Sequence, residues 1–145
     1  MNKIHTEIVI HAPKEVIWDI LTDYSAYPEW NPFIVRVFGG AGLGKQVLFV
    51  ARFKLAIAPV LARILKFDIY KKLSWGGPGV SWVESIFCAE HVFEIDEIEP
   101  GVCRFINKET MGGVVANTMW PIIQLGTPAY IAMNEALKER AEAAV

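Results

Sequence analysis

Apolar and polar residues alternate along residues 3–11: Ile4, Thr6, Ile8 and Ile10 take one face, and His5, Glu7, Val9 and His11 the other. This period of two predicts a half-buried strand, with both histidines on its solvated side. The period then changes. Pro13 suits the first position of a helix and Glu15 its first turn, where a carboxylate meets the positive end of the helix dipole. Val16, Ile17, Ile20 and Leu21 supply the buried side of that helix. Pro28 and Pro32 stop any long helix and bracket an aromatic turn, DYSAYPEWNPF, with room for a short second helix. Strands are predicted at 34–39 and 45–53, joined by GGAGLG; that loop lacks the strand-to-helix context of a phosphate cradle and reads as a hairpin connection. Two further extended stretches are expected, at 64–75 and ending near Trp82, with Gly76-Gly77-Pro78-Gly79 as the turn between them.

The clearest hairpin spans residues 91–109 and turns at Glu99-Pro100-Gly101. His91, Phe93 and Ile95 share one face against Glu90, Val92, Glu94 and Asp96; on the return, Cys103, Phe105, Asn107 and Glu109 oppose Arg104, Ile106, Lys108 and Thr110. The charged rows should meet water. A three-residue loop sets His91 opposite Glu109 and Phe93 opposite Asn107. In that register Cys88 and Cys103 stand farther apart than the roughly 7 Å between Cα atoms that a disulfide bridges, so both are expected as free thiols.

The last stretch, residues 117–145, has helical period. Ile123, Gly126, Tyr130, Met133, Leu137, Ala141 and Ala144 fall on one stripe, with Glu135, Lys138, Glu139 and Glu142 opposite. Pro121 and Pro128 should start, kink or interrupt it. A stripe carrying a phenol, a thioether and a glycine fits either plain core packing or the wall of a cavity.

Composition narrows the function classes. A chain of 145 residues suits one domain, 1–145. A hydrophobic fraction of 53%, a mean hydropathy of +0.32, five Trp and eight Phe are high for a soluble protein, so either the core is large or an internal pocket or partner surface uses the excess. A net charge of −2 without a basic cluster argues against nucleic acid as a partner. No apolar leader follows Met1-Asn2-Lys3, and the tract at 55–65, broken by Pro59 and Arg63, is too short to span a bilayer; no stable membrane insertion is expected. Two cysteines form neither a disulfide framework nor a zinc site, which points to the cytoplasm. Asp19 and Asp23 lack an accompanying His or Cys, and Ser74, Ser81 and Ser85 lack an elbow motif, so neither a metal, a cofactor nor a nucleophile is expected.

The string TEIVIHAPKEVIWDILTDYSAYPEWNPF at 6–33 resembles the opening of the START-like, Bet v 1-like (SRPBCC) superfamily, in particular its bacterial polyketide cyclase/dehydrase and lipid-transport branch. KKLSW, AEHVFEID and the closing MNEALKERAE are similar to that branch in the same order, while 53–66 departs from its usual spacing. The resemblance covers essentially the whole chain. It implies an α+β helix-grip fold: a curved antiparallel sheet of about seven strands, two short helices after the first strand, and a long C-terminal helix with an internal cavity beneath it. On that basis the candidate lining comprises Trp30, Phe67, Leu73, Trp75, His91 and Phe93, together with Phe105, Asn107, Glu109, Tyr130 and Met133.

Among these, His91 and Glu109 carry the chemistry. A buried carboxylate is costly unless paired, and a cross-strand His is its natural partner, holding charge or sharing a proton. Such a pair can orient a ligand's polar end or act as general acid and base. Three readings follow: a binding or transport module for a hydrophobic small molecule such as a lipid or polyketide; a cyclase or dehydratase in which Glu109 or His91 moves a proton; and a protein-interaction module with exposed apolar surface. The partner is expected to be that small molecule, and the protein a monomer or homodimer.

Overall fold

The computed structural model describes residues 1–54 and 56–145; Leu55, the first residue of the apolar tract at 55–65, lies outside the described residues. Seven antiparallel strands form one sheet: β1 (Asn2–Ile10), β2 (Ile34–Gly39), β3 (Gln46–Phe53), β4 (Ala56–Asp68), β5 (Lys72–Gly77), β6 (Cys88–Glu99) and β7 (Val102–Gly112). Their order is β1-β7-β6-β5-β4-β3-β2, so β2 to β7 is a meander of neighbours and β1 joins its far edge. The helices are α1 (Lys14–Thr22) and α2 (Tyr27–Trp30) after the first strand, α3 (Ser81–Glu84) before β6, and α4 (Val114–Ile123) and α5 (Thr127–Ala143) at the end. Helix α5 lies on the inner face of the sheet and buries Tyr130, Met133, Asn134, Leu137 and Ala141. This is the helix-grip arrangement, α+β in class.

Strand pairing aligns inward side chains in rows across the sheet. One row runs Ile4, Glu109, His91, Trp75, Ile64, and the next Thr6, Asn107, Phe93, Leu73, Phe67. These rows follow from the side-chain period of two, because a one-residue slip would turn every member outward. On the outer face Lys72 and Lys108 both pair with Glu94, at 3.0 and 3.1 Å.

The β6–β7 register sets His91 opposite Glu109 and Phe93 opposite Asn107, the pairing expected of a three-residue loop. It holds to Glu97 and Cys103, then shifts by one so that Glu99 meets Val102. The turn therefore has two residues, Pro100-Gly101, with a bulge at Ile98 instead of a three-residue loop. Gly101, at φ 81°, supplies the left-handed backbone that so tight a turn needs. Cys88 and Cys103 are free.

Elsewhere the sequence expectation is corrected. The stretch at 64–75 is two strands, separated by a turn in which Lys71 N–H donates to Asp68 O at 2.9 Å and Tyr70 adopts φ 67°. No Gly, Pro or Asn marks that turn, so the apolar pattern runs through it unbroken. Gly76 and Gly77 belong to β5, where a Cβ on Gly76 would collide with the carbonyl oxygen of Ala89. The stretch ending near Trp82 is the single helical turn α3, not a strand. Pro13 is the extended N-cap of α1 instead of its first helical residue, and Pro28 sits in the first turn of the short α2, which ends at Trp30 before Pro32. The C-terminal helix begins at Val114, three residues earlier than predicted, and a 3₁₀ turn at Gln124–Gly126 divides it. Of its stripe, Tyr130, Met133, Leu137 and Ala141 are buried, Ile123 and Gly126 are half-buried, and Ala144 is exposed.

Candidate functional site

The site grows from the two rows where β7, β6 and α5 meet. Thr6 Oγ1 donates to the backbone carbonyl of Asn107 (2.8 Å), so its oxygen lone pairs are left to accept from Asn134 Nδ2 (2.9 Å). Asn107 Nδ2 donates in turn to Asn134 Oδ1 (2.9 Å) and toward the Tyr130 carbonyl (3.4 Å). Both backbone carbonyls can only accept, and this pins the two amides in one orientation. Asn107 Oδ1 must then receive its 2.6 Å bond from an N–H at His91 Nε2. The neutral imidazole consequently presents a bare Nδ1.

That Nδ1 stands 3.7 Å from Glu109 Oε1, and Tyr130 O–H donates to the same oxygen at 3.1 Å. The separation would suit an ion pair, yet both side chains lie in the interior and charge there is expensive. Burial pulls His91 down to about 4, the Asn107 hydrogen bond acting the other way. Burial pushes Glu109 up to about 8 against the lowering effect of Tyr130. Tyr130 itself is driven well above its ordinary range, first by burial and then by Glu109. Both shifts disfavour the ion pair and favour a neutral carboxylic acid beside an uncharged imidazole. The carboxylic acid is a hydrogen-bond donor, as an ionised glutamate is not.

His91, Glu109 and Tyr130 form part of the wall of a cavity of about 350 Å³, otherwise lined by apolar groups including Phe33, Phe49, Val60, Trp75, Phe87 and Met111. Phe49 stacks on Trp75 at 5.3 Å and Phe33 packs on Tyr130 at 4.6 Å. Trp75 is buried, and its indole N–H has no acceptor among the described residues. Phe53, Phe87, Met111 and Tyr130 also border a wider surface groove of about 950 Å³ beneath α4 and the start of α5, so these four side chains stand between cavity and exterior.

Four of the eleven sequence candidates, Trp75, His91, Glu109 and Tyr130, line this cavity. The other seven lie outside its lining. Leu73, Phe93, Phe105 and Met133 are packed in the core, and Phe67 sits edge-on to Trp18 at 5.3 Å. Asn107 stands behind His91 and orients it. Trp30 borders a separate polar groove with Glu29, Arg36 and Arg52. Row parity holds, but α1 and α5 fill one end of the inner face and leave the other open. Asn134 was missed although it falls at i+4 from Tyr130, on the buried stripe. Phe49 and Ala51 share the inward parity of Val47 and were legible in the same way. Phe87 carries no such signal, because the stretch before it reads as a strand. No three His, Cys, Asp or Glu side chains among the described residues converge as metal ligands.

The family model described as polyketide cyclase / dehydrase and lipid transport matches residues 1–142. The chain belongs to this family. Among solved structures it is similar to the Zhui aromatase/cyclase of Streptomyces sp. R1128, with 12% identity, a TM-score of 0.77, and 97% and 93% of the two chains covered. It is also similar to TTHA0849 of Thermus thermophilus, with 15% identity, a TM-score of 0.75 and 99% of each chain covered. A START superfamily protein of Mycobacterium smegmatis gives 18% identity, a TM-score of 0.72 and 99% of each chain. At such identities these likenesses speak for the fold. Among curated proteins none matches the sequence.

Proposed function

We propose that this family member binds a small hydrophobic molecule, such as a polyketide or a lipid-derived compound, that carries a neutral hydrogen-bond acceptor. The observation carrying this reading is the buried Glu109 carboxyl, hydrogen-bonded by Tyr130, in the wall of a cavity whose remaining lining is almost wholly apolar; burial there pushes the carboxyl toward its neutral form. A ketone or ester oxygen can accept from the acid O–H, while the Trp75 ring, two strands away in the same row, adds apolar wall. Among the described residues the cavity lining holds no Lys or Arg to neutralise an anionic group. The volume lies near the lower end of the range for small-molecule sites, about 300–1,000 Å³. Burying roughly 300 Å² of apolar ligand at about 25 cal/mol per Å² contributes about 7 kcal/mol before association costs, so affinity is micromolar at best without the polar anchor.

Native mass spectrometry with solvent extraction tests this. The expected result is an adduct of a few hundred daltons that is retained by the wild type, reduced at least tenfold in Glu109→Leu, and kept in Glu109→Gln, which still donates. A clean apo mass together with no uptake of added apolar ketones would sink the reading.

A second reading, proton-transfer catalysis, is favoured by one feature: a carboxyl raised to about 8 is near the pKa that suits a general acid at neutral pH. The similarity to an aromatase/cyclase supports it. In that case Glu109→Gln would lower turnover of a poly-β-keto substrate by about 10²-fold or more while ligand retention persists. His91, held near 4, is a weak base and serves to orient the acid. Residence in the cytoplasm is part of the same proposal.

A further inference from the structure

Helix α4 is an unusual element for the exterior of a protein. Val114, Val115, Met119 and Ile122 are exposed along it, and Leu125, just beyond, is 73% exposed; only Ala116 is buried. No Asp, Glu, Lys or Arg occurs between Glu109 and Glu135. The backbone N–H groups of Val114 and Val115 donate to the carbonyls of Ser85 and Ile86 (3.0 and 2.9 Å), which ties α4 to the segment carrying Ile86 and Trp82, the latter 70% exposed. Across the groove, the β3–β4 hairpin contributes the partly exposed ring of Phe53. Three separate segments thus place large apolar side chains around the mouth of the cavity.

The charged side chains on this groove are cationic. Arg52 and Lys54 line the outer groove together with Ile122 and Leu125. Among the described residues neither Arg52 nor Lys54 makes an ion pair, whereas Lys66 and Lys72, farther along the sheet, are paired with Glu90 and Glu94.

We propose that this end of the molecule docks on the surface of an anionic lipid bilayer, lying in the interface without crossing it. An apolar helix face with an exposed tryptophan beside it and cations at its rim is the composition of an interfacial anchor. No helix among the described residues is long and apolar enough to cross a membrane. A second copy of the chain fits less well, because two such faces brought together would oppose their cationic rims. Docked this way, the mouth of the cavity faces the lipid, and an apolar ligand passes between the two without entering water. The docking needs no bound ligand, so it can fail while the ligand reading holds, and the reverse.

Flotation of the purified protein with vesicles of phosphatidylcholine, with or without phosphatidylglycerol, tests the proposal. Wild type is expected to float with the anionic vesicles, and less so as salt is raised. Neutralising Arg52 and Lys54 together as Arg52→Gln and Lys54→Gln is expected to weaken that partition by about 25-fold, about fivefold for each cation removed. The pair Ile122→Glu and Leu125→Glu, both on exposed side chains so that folding can be confirmed by circular dichroism, is expected to abolish it. Absence of wild-type binding to anionic vesicles would overturn the proposal, as would undiminished binding by the Ile122→Glu, Leu125→Glu variant. A concentration-dependent dimer that this variant disrupts would overturn it too, by showing that a second copy covers the face.

Discussion

The inner face of the sheet is apolar over most of its length, with Thr6, Asn107, His91 and Glu109 as a polar band, yet its two ends behave differently. Toward α1, Phe93 and Phe105 stack at 5.9 Å, Trp18 meets Phe67 edge-on, and Ile17, Leu21, Met133 and Leu137 are fully buried in the same cluster. Toward α3 and the β3–β4 hairpin, Phe49, Val60 and Phe87 surround about 350 Å³ of open space. The difference lies in what covers each end. Helices α1 and α5 pack on β1, β6 and β7, and among the described residues no helix packs comparably on β3 or β4. An apolar strand face becomes solid core only where another layer presses on it; uncovered, the same residues line a pocket. The ladder of Thr6, Asn134, Asn107 and His91 marks the boundary, with its polar groups satisfied by one another on the packed side and Glu109 turned to the cavity side.

The largest effect that would break this comparison is in core truncation. Phe105→Ala, in the packed end, is expected to cost about 3–5 kcal/mol of unfolding free energy, whereas Val60→Ala, at the cavity wall, is expected to cost less than about 1 kcal/mol. Urea denaturation of the two variants measures the difference, and equal losses would mean that both ends are equally packed. At the boundary, Asn134→Ala strands buried donors and acceptors on Asn107 and Thr6. The expected loss is about 1–3 kcal/mol, together with a loosened His91 ring visible in its NMR resonances.

The smallest effect concerns pH, and its sign follows from the two burials. Glu109 rises from its ordinary 4.5 to about 8, so the folded state keeps a proton that the unfolded chain releases; this contribution is full below 4.5 and is lost as pH rises through 8. His91 falls from 6.5 to about 4, so its contribution is present above 6.5 and is lost as pH falls through 4. Between 4.5 and 6.5 the two slopes offset each other. From 6.5 to 8 Glu109 acts alone, and stability should decline with rising pH by at most about 1.4 kcal/mol per pH unit. Glu109→Gln should flatten the profile in that window. A wild-type profile already flat there would place an ionised carboxylate in the site.

Several features needed no tertiary information. Alternation along 3–11 and 91–109 assigned β1, β6, β7 and their inward faces, because a period of two leaves each residue one choice of face; the pairing of His91 with Glu109 rested on a three-residue loop, and it stands because a bulge at Ile98 offsets the shorter turn. The order of elements, together with the resemblance at 6–33, pointed to the helix-grip fold. Other features depended on neighbours distant in the chain. The turn at Tyr70 and the helical turn at Ser81–Glu84 are imposed by context, since their residues carry no strong local preference. The division of one apolar face into core and cavity was decided by where α1 and α5 come to rest. So was the upward pull on the Glu109 pKa: the sequence supplies a carboxylate that would ionise in water, and its enclosure between Tyr130, His91 and the sheet favours the neutral acid.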